Sequence, residues 1–251
     1  MKIGLNARSK LKLKYFTKML IRKSGFRLQR LDTLDFFEPL LYRRIRECDE
    51  FFFIQIGAND GVSFDPLHAF LVDNATKVKG IVMEPLKDVF RELKHNYRKY
   101  PQIIPVNAAL HNSESEMTIY RVDPNRKDAP PWMKGIGSFN ERFHELSNTP
   151  RDYIIEEKVN CISLSELIRQ YSIERIDLLQ LDTEGYDFEI VTNINFDEIK
   201  PQIIHFEHGR KYNTMSKDKL KIALELLQRN GYHIAIEPDD VVAYLHDLEV
   251  F

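Results

Sequence analysis

Cysteine is scarce in this 251-residue chain, with two in all, and that excludes a disulfide framework. Cys48 and Cys161 read as reduced core thiols of a cytosolic protein. No Cys/His cluster has the spacing of a zinc site. No apolar run approaches the roughly 20 residues that a membrane-spanning helix needs. Internal repeats and low-complexity tracts are missing as well. Acids are absent from residues 1–30, which hold Lys2, Arg8, Lys10, Lys12, Lys14, Lys18, Arg22, Lys23, Arg27 and Arg30. The net charge of −2 therefore conceals a basic start on an acidic remainder. A secretory signal would need an unbroken apolar core, and Lys18 and Arg22 interrupt that stretch. Leu13, Phe16 and Leu20 recur at helical spacing, which describes a basic amphipathic helix. Two readings follow: a helix packed on the domain with a solvated basic face, or a peripheral contact of residues 1–30 with an anionic membrane surface. No recognition motif accompanies the charge, so nucleic acid is not an expected partner. The expected location is cytoplasmic, with that membrane contact as its variant.

What remains is ordinary globular composition, 43% hydrophobic and 29% charged, at a length that suits one doubly wound domain with additions. Residues 1–49 read as a basic helical extension and 50–251 as the domain. Thr33 or Asp35 is placed to cap a helix running to about Cys48. Strands are expected at 52–56, 79–83, 103–107, 117–122, 176–181 and 202–207, with a closing antiparallel hairpin at 232–237 and 241–245. Helices are expected at 65–73, 87–100, 163–171 and 217–230, the last stopped by Gly231. The stretch 123–150, with Pro130, Pro131, Gly135 and Gly137, has no period and reads as a lid or substrate loop. Strands alternating with helices require a mainly parallel sheet covered on both faces.

Glycine is sparse too, ten in all, so Gly57 and Gly61 stand out. An apolar strand runs into Gly57-Ala58-Asn59-Asp60-Gly61. Gly57 lets the backbone turn where a Cβ would obstruct, and Gly61 lets a ligand or a helix come close. At the carboxyl end of a buried parallel strand this marks the ligand crevice. The spacing is not the Gly-x-Gly-x-x-Gly that carries a pyrophosphate, which points away from NAD and toward S-adenosylmethionine. Glu84 ends the next strand, where a carboxylate can accept from both ribose hydroxyls or cap the following helix. Asn107-Ala108-Ala109 suits the edge of an adenine. Asp182 and Glu184 end a core strand and project to one side. Two acids so close need a cation, a donor or a raised pKa.

Together these segments resemble the FkbM family of S-adenosylmethionine-dependent methyltransferases, over about residues 50–250. The resemblance rests on Ile56-Gly57-Ala58-Asn59-Asp60-Gly61, Glu84-Pro85, Asn107-Ala108-Ala109-Leu110 and Asp177 through Gly185. It implies a class I methyltransferase fold: an α/β, Rossmann-like, doubly wound sheet of seven mostly parallel strands with an antiparallel last strand. It also implies O-methylation of a small-molecule or glycan hydroxyl. The cofactor-binding set is then Gly57, Ala58, Asn59, Asp60, Gly61, Glu84, Asn107, Ala108 and Asp182.

Methyl transfer to an alcohol requires alignment behind the methyl group, exclusion of water and removal of a proton. His205, Glu207 and His208 end the strand beside Asp182 and Glu184. His208 is the preferred base; a capping or loop role is its plain alternative. Asp182 and Glu184 are the alternative bases, or with His208 a divalent-metal set that the spacing permits without demanding. Ser138, Trp132 and Glu184 are the candidate acceptor contacts, against turn-forming and packing roles for the first two. His111 can flank adenine, and His68 reads as packing. A dinucleotide oxidoreductase is disfavoured by the missing third glycine. Amino-group methylation is disfavoured by Asp182-Thr183-Glu184-Gly185, which stands where such enzymes carry an Asn/Asp-Pro-Pro-Tyr element. A non-catalytic binding module on the same fold is the remaining alternative.

Overall fold

The structure is a computed structural model that describes residues 35–130, 133, 135–146, 149–209 and 214–245. The basic segment 1–30, Thr33 and Trp132 lie outside the described residues.

Helix α1 (Phe37–Glu47) precedes strand β1 (Phe51–Ile56). Then come α2 (His68–Asp73), β2 (Val78–Met83), α3 (Lys87–Asn96) and β3 (Ile103–Val106). Four short or edge elements follow: β4 (Ala109–Leu110), β5 (Glu116–Val122), β6 (Gly137–Ser138) and α4 (Phe143–Leu146). Next are β7 (Ile154–Ile162), α5 (Leu164–Tyr171), β8 (Leu178–Leu181) and α6 (Asp187–Thr192). The chain continues through β9 (Ile203–Glu207), α7 (Lys217–Arg229), β10 (Tyr232–Ile236) and β11 (Asp240–Leu245).

The main sheet has seven strands in the order β10-β11-β9-β8-β1-β2-β3. All its pairings are parallel except those of β11, which runs antiparallel to both neighbours. The expected architecture, including the antiparallel last strand, is what the chain adopts. Strand order reverses between β1 and β8, and a crevice opens at their carboxyl ends.

Period-2 alternation divides the core in two. Ile54, Ile56, Ile81, Met83, Leu179, Leu181, Ile204 and Phe206 face α5, α6 and α7. Phe51, Phe53, Val82, Leu178 and Ile203 face α1, α2 and α3. Because Phe37, Leu40, Leu41 and Ile45 of α1 are buried with that second face, the compact unit begins at Phe36, not at residue 50. Phe36 stands at the N-cap position of α1, and Glu237 reaches it from the far end of the chain, its Oε1 accepting the Phe36 amide at 2.6 Å and the Phe37 amide at 3.3 Å.

A second, four-stranded sheet, β4-β7-β5-β6, rises over the crevice. It organises much of the stretch read as an open lid: β6 pairs with β5 at Tyr120 and Arg121. Strand β7 was not expected, because Ile-Ile-Glu-Glu-Lys-Val-Asn-Cys-Ile has charge at its centre; it lies between β4 and β5 with only Val159 buried.

Candidate active site

β1 ends at Gly57, whose φ of +77° turns the chain; a Cβ there would lie 1.7 Å from the Asp182 carbonyl oxygen. The glycine thus keeps the ends of β1 and β8 in register, which is why it cannot carry a side chain. Gly61 serves a helix, not a ligand: a Cβ would lie 2.3 Å from the Tyr97 ring. Asp60 is spent on the turn itself, accepting the Val62 amide at 2.9 Å, the Ser63 amide at 2.6 Å and the Ser63 hydroxyl at 2.7 Å. Neither residue lines a cleft, so both support the loop from behind.

Glu84 is 3% exposed and accepts the Asn59 amide at 3.1 Å and the Leu86 amide at 2.8 Å. Burial pushes its carboxyl up to about 8 against the pull of those amides. Asn107 donates to the carbonyls of Glu84 at 2.8 Å and Pro85 at 3.0 Å, bracing the turn without lining the cleft.

The first cleft is lined by Gly57, Asn59 and Glu84 on one side and by Ala108, Leu110, Ile119 and Phe139 on the other. About 670 Å³ of space free of protein atoms lies within it, open solvent at its mouth included. The slot between Leu86, Ala108 and Phe139 is apolar and flat-sided, with one buried carboxyl at its edge. Gly135 and Gly137 bring the upper sheet down onto it; a Cβ at Gly135 would lie 2.6 Å from the Asn59 amide group.

A second cleft opens beyond Asn59, lined by Gln55, Ala58, Phe64, Asp65, Gln180, Asp182 and Glu184. Gln55 is 3% exposed, and among the described residues neither its Oε1 nor the buried Asp65 Oδ2 has a hydrogen-bond partner. Phe64 stands at the rim, 87% exposed, with φ +61°, a conformation that bulky residues rarely adopt. The sequence reading passed over Gln55, Phe64, Asp65 and Gln180. The loop's Asx turn was the available signal.

Asp182, Thr183 and Glu184 line both clefts or the passage between them. Glu184 sits at φ +53° and Gly185 at +107°, so the turn folds Glu184 back over the crevice. Ser138 donates to the Glu184 carbonyl at 2.8 Å. That hydroxyl ties β6 to the turn and does not line the clefts. Buried Asp187 braces the same turn, its Oδ1 accepting the Thr183 amide at 3.0 Å and also the Thr183 hydroxyl, while Oδ2 accepts the Glu207 amide at 3.0 Å. Loss of solvation raises the pKa of Asp182, and Asp187 and Asp65 add to it. Asp182 is itself exposed and lines both clefts. Loss of solvation likewise raises Glu184, with Asp182 and Asp187 adding to it. Glu207 is pushed up to about 8 by burial and by the same acids.

His208 is not brought to this place. Its ring Nε2 lies 3.1 Å from the Glu237 carbonyl, toward the β10–β11 turn, and it lines neither cleft. Nor does it complete a metal set with Asp182 and Glu184 among the described residues. His111 stacks on Tyr186, with centroids 5.3 Å apart, and stands outside the adenine-sized slot.

Three comparisons bear on this geometry. Over 208 residues, 74% of this chain, the sequence is 21% identical to the AMB antimetabolite synthetase AmbE of Pseudomonas aeruginosa, and spans 10% of that protein's length. Among solved structures, the fibrillarin pre-rRNA processing protein of Methanococcus jannaschii is similar at 17% identity and TM-score 0.40, over 78% of this chain and 65% of that one. A precorrin-6y C5,15-methyltransferase from Geobacter metallireducens is similar at 12% identity and TM-score 0.39, over 86% of this chain and 90% of that one. These likenesses are too distant to speak for an acceptor. The family model of the methyltransferase FkbM domain matches residues 55–234, more than two thirds of the chain, and the protein belongs to that family.

Proposed function

We propose that the protein transfers a methyl group from S-adenosylmethionine to a hydroxyl of a sugar, glycan or natural product. S-adenosylmethionine is the methyl donor of this family, and the residues present fit it. Glu84 stands where ribose hydroxyls would meet a carboxylate, the Ala108–Leu110 slot suits adenine, and Asp182 with Glu184 offers negative charge to its cationic end. When bound, the cofactor supplies a methyl group activated by a sulfonium.

The observation that carries the acceptor reading is the second cleft. It joins the first at Asp182 and Glu184, and two residues that line it carry buried acceptors with no partner among the described residues, Gln55 Oε1 and Asp65 Oδ2. Acceptors of this kind suit a ligand rich in hydrogen-bond donors, as a polyhydroxy compound is. Phe64 at the rim offers an aromatic face to a ring. A carboxylate whose pKa lies near the working pH is a competent base, so Glu184, with Asp182 beside it, is assigned proton removal in place of His208. The turn held by Ser138 and Asp187 fixes that carboxylate in position.

The test uses isotopically labelled S-adenosylmethionine and glycan extracts, followed by analysis of the labelled product. The expected product is a base-stable methyl ether. A base-labile methyl ester or a methylamine would overturn the hydroxyl assignment, and cofactor binding without any labelled product would favour the non-catalytic module.

A further inference from the structure

Apart from the two clefts, one cluster of side chains among the described residues has the composition and spacing of an ion site. We propose that His205, Glu237 and Asp240 bind one divalent transition-metal ion at the edge of the main sheet. None of the three lines either cleft. They are also not the Asp182, Glu184 and His208 set considered from sequence.

The geometry is held from three directions. His205 Nδ1 lies 2.6 Å from Gln180 Oε1, while Gln180 Nε2 faces the Leu181 carbonyl at 3.4 Å. The carboxamide oxygen can only accept, so Nδ1 carries the proton and Nε2 the lone pair. Metal-binding histidines are oriented by such an outer partner. Phe37 stacks on the imidazole at 3.9 Å and 8°, fixing the plane of the ring. Glu237 is steadied by the Phe36 and Phe37 amides on its Oε1, at 2.6 and 3.3 Å. Asp240 lies in register opposite Glu207 on β9, two residues along from His205.

One ligand atom from each residue lies within 4.8 Å of the other two. Ligands that share an ion at about 2.0–2.6 Å each lie roughly 4–5 Å apart or closer. Charge favours occupation as well. Three carboxylates, Asp182, Glu237 and Asp239, repel that of Asp240 against the attraction of His208, so a cation there relieves repulsion. One imidazole with two carboxylates suits a borderline first-row dication such as Mn²⁺ or Zn²⁺ better than an all-oxygen ion such as Ca²⁺.

The test is a titration of the metal-free full chain with Mn²⁺, following the free aquo-ion signal by electron paramagnetic resonance. One equivalent should bind. His205→Gln and Asp240→Asn should each weaken binding by more than about tenfold, the scale on which even outer-shell changes act. Asp182→Asn, outside the ligand set, should still bind one equivalent. No binding by the parent chain, binding that survives both ligand substitutions, or binding lost in Asp182→Asn would overturn the site. If the ligand variants do not fold, pulsed measurements on the Mn²⁺-bound parent and on His208→Ala decide. An imidazole-nitrogen coupling present in both supports His205, and its absence from either excludes it.

Discussion

At the scale of single residues, glycine and carboxylate positions govern the site. Gly57→Ala places a Cβ against the Asp182 carbonyl at a positive φ. Backbone strain alone should cost about 1–3 kcal/mol, read as a lower urea midpoint, and displaced Asp182 should weaken cofactor binding with it. Unchanged stability and affinity would show that the β1–β8 register is not what this glycine protects. Glu84→Ala should weaken S-adenosylmethionine binding by about 1.5–3 kcal/mol in calorimetry, the usual worth of hydrogen bonds to a charged group. Glu184→Gln removes the proposed base while keeping the volume, and should lower kcat by about 10²–10⁴-fold, a larger effect than the accompanying loss of cofactor affinity. Turnover at the parent rate would place proton removal elsewhere. Residue identities at the strand ends were legible because few residue types suit a crevice. Where their hydrogen bonds go was not. Asp60, Gly61 and Asn107 read as ligand contacts, yet each is committed to backbone or a helix behind the loop.

At the scale of elements, a buried charge fixes the opposite end of β8. Asp177 is fully buried and accepts Arg44 Nε at 2.7 Å, Arg175 Nε at 3.2 Å and the Phe52 amide at 2.8 Å. It ties α1 and β1 to β8 far from the crevice, which accounts for its place in the motif that ends at Gly185. Asp177→Ala should leave two cations short of a partner and cost about 3–5 kcal/mol in urea unfolding, with cofactor affinity of the folded variant unchanged. An affinity loss as large as the stability loss would mean that this end of the strand reaches the site. The main-sheet strands were legible because each is a short apolar run closed by turn residues. β7 and α6 were not: one is charged at its centre, and the other is a six-residue helix that begins directly after the turn at Asp182–Gly185. Tertiary pairing, not local pattern, makes them.

At the scale of the whole molecule, carboxyls raised by lost solvation collect in the crevice and behind it: Glu84 and Glu207 to about 8, Asp187 and Asp240 to about 6, and Asp182 and Glu184 upward together. Folded, these groups hold protons that the unfolded chain releases near the ordinary carboxylate range. Between those two limits the native state binds more protons, so its stability should fall as pH rises from about 4.5 toward 8. Thermal midpoints of the cofactor-free protein across that window check this, and a midpoint that climbs steadily would contradict it. Fold class was legible at this scale because alternation of strand and helix leaves few topologies. The acid cluster was only half legible, since Glu207 and Asp240 join it through the antiparallel pairing of β9 with β11.

The central claim is that this carboxyl-lined crevice takes the cationic methyl donor, and it can be tested before any acceptor is known. S-adenosylmethionine is titrated into the protein at pH 7 in two buffers of different ionisation enthalpy. A cation set beside raised carboxyls lowers their pKa, so binding should release protons, and the observed enthalpy should differ between buffers with the matching sign. Asp182→Asn should shrink that difference. No binding, or binding whose enthalpy is the same in both buffers, would contradict the account.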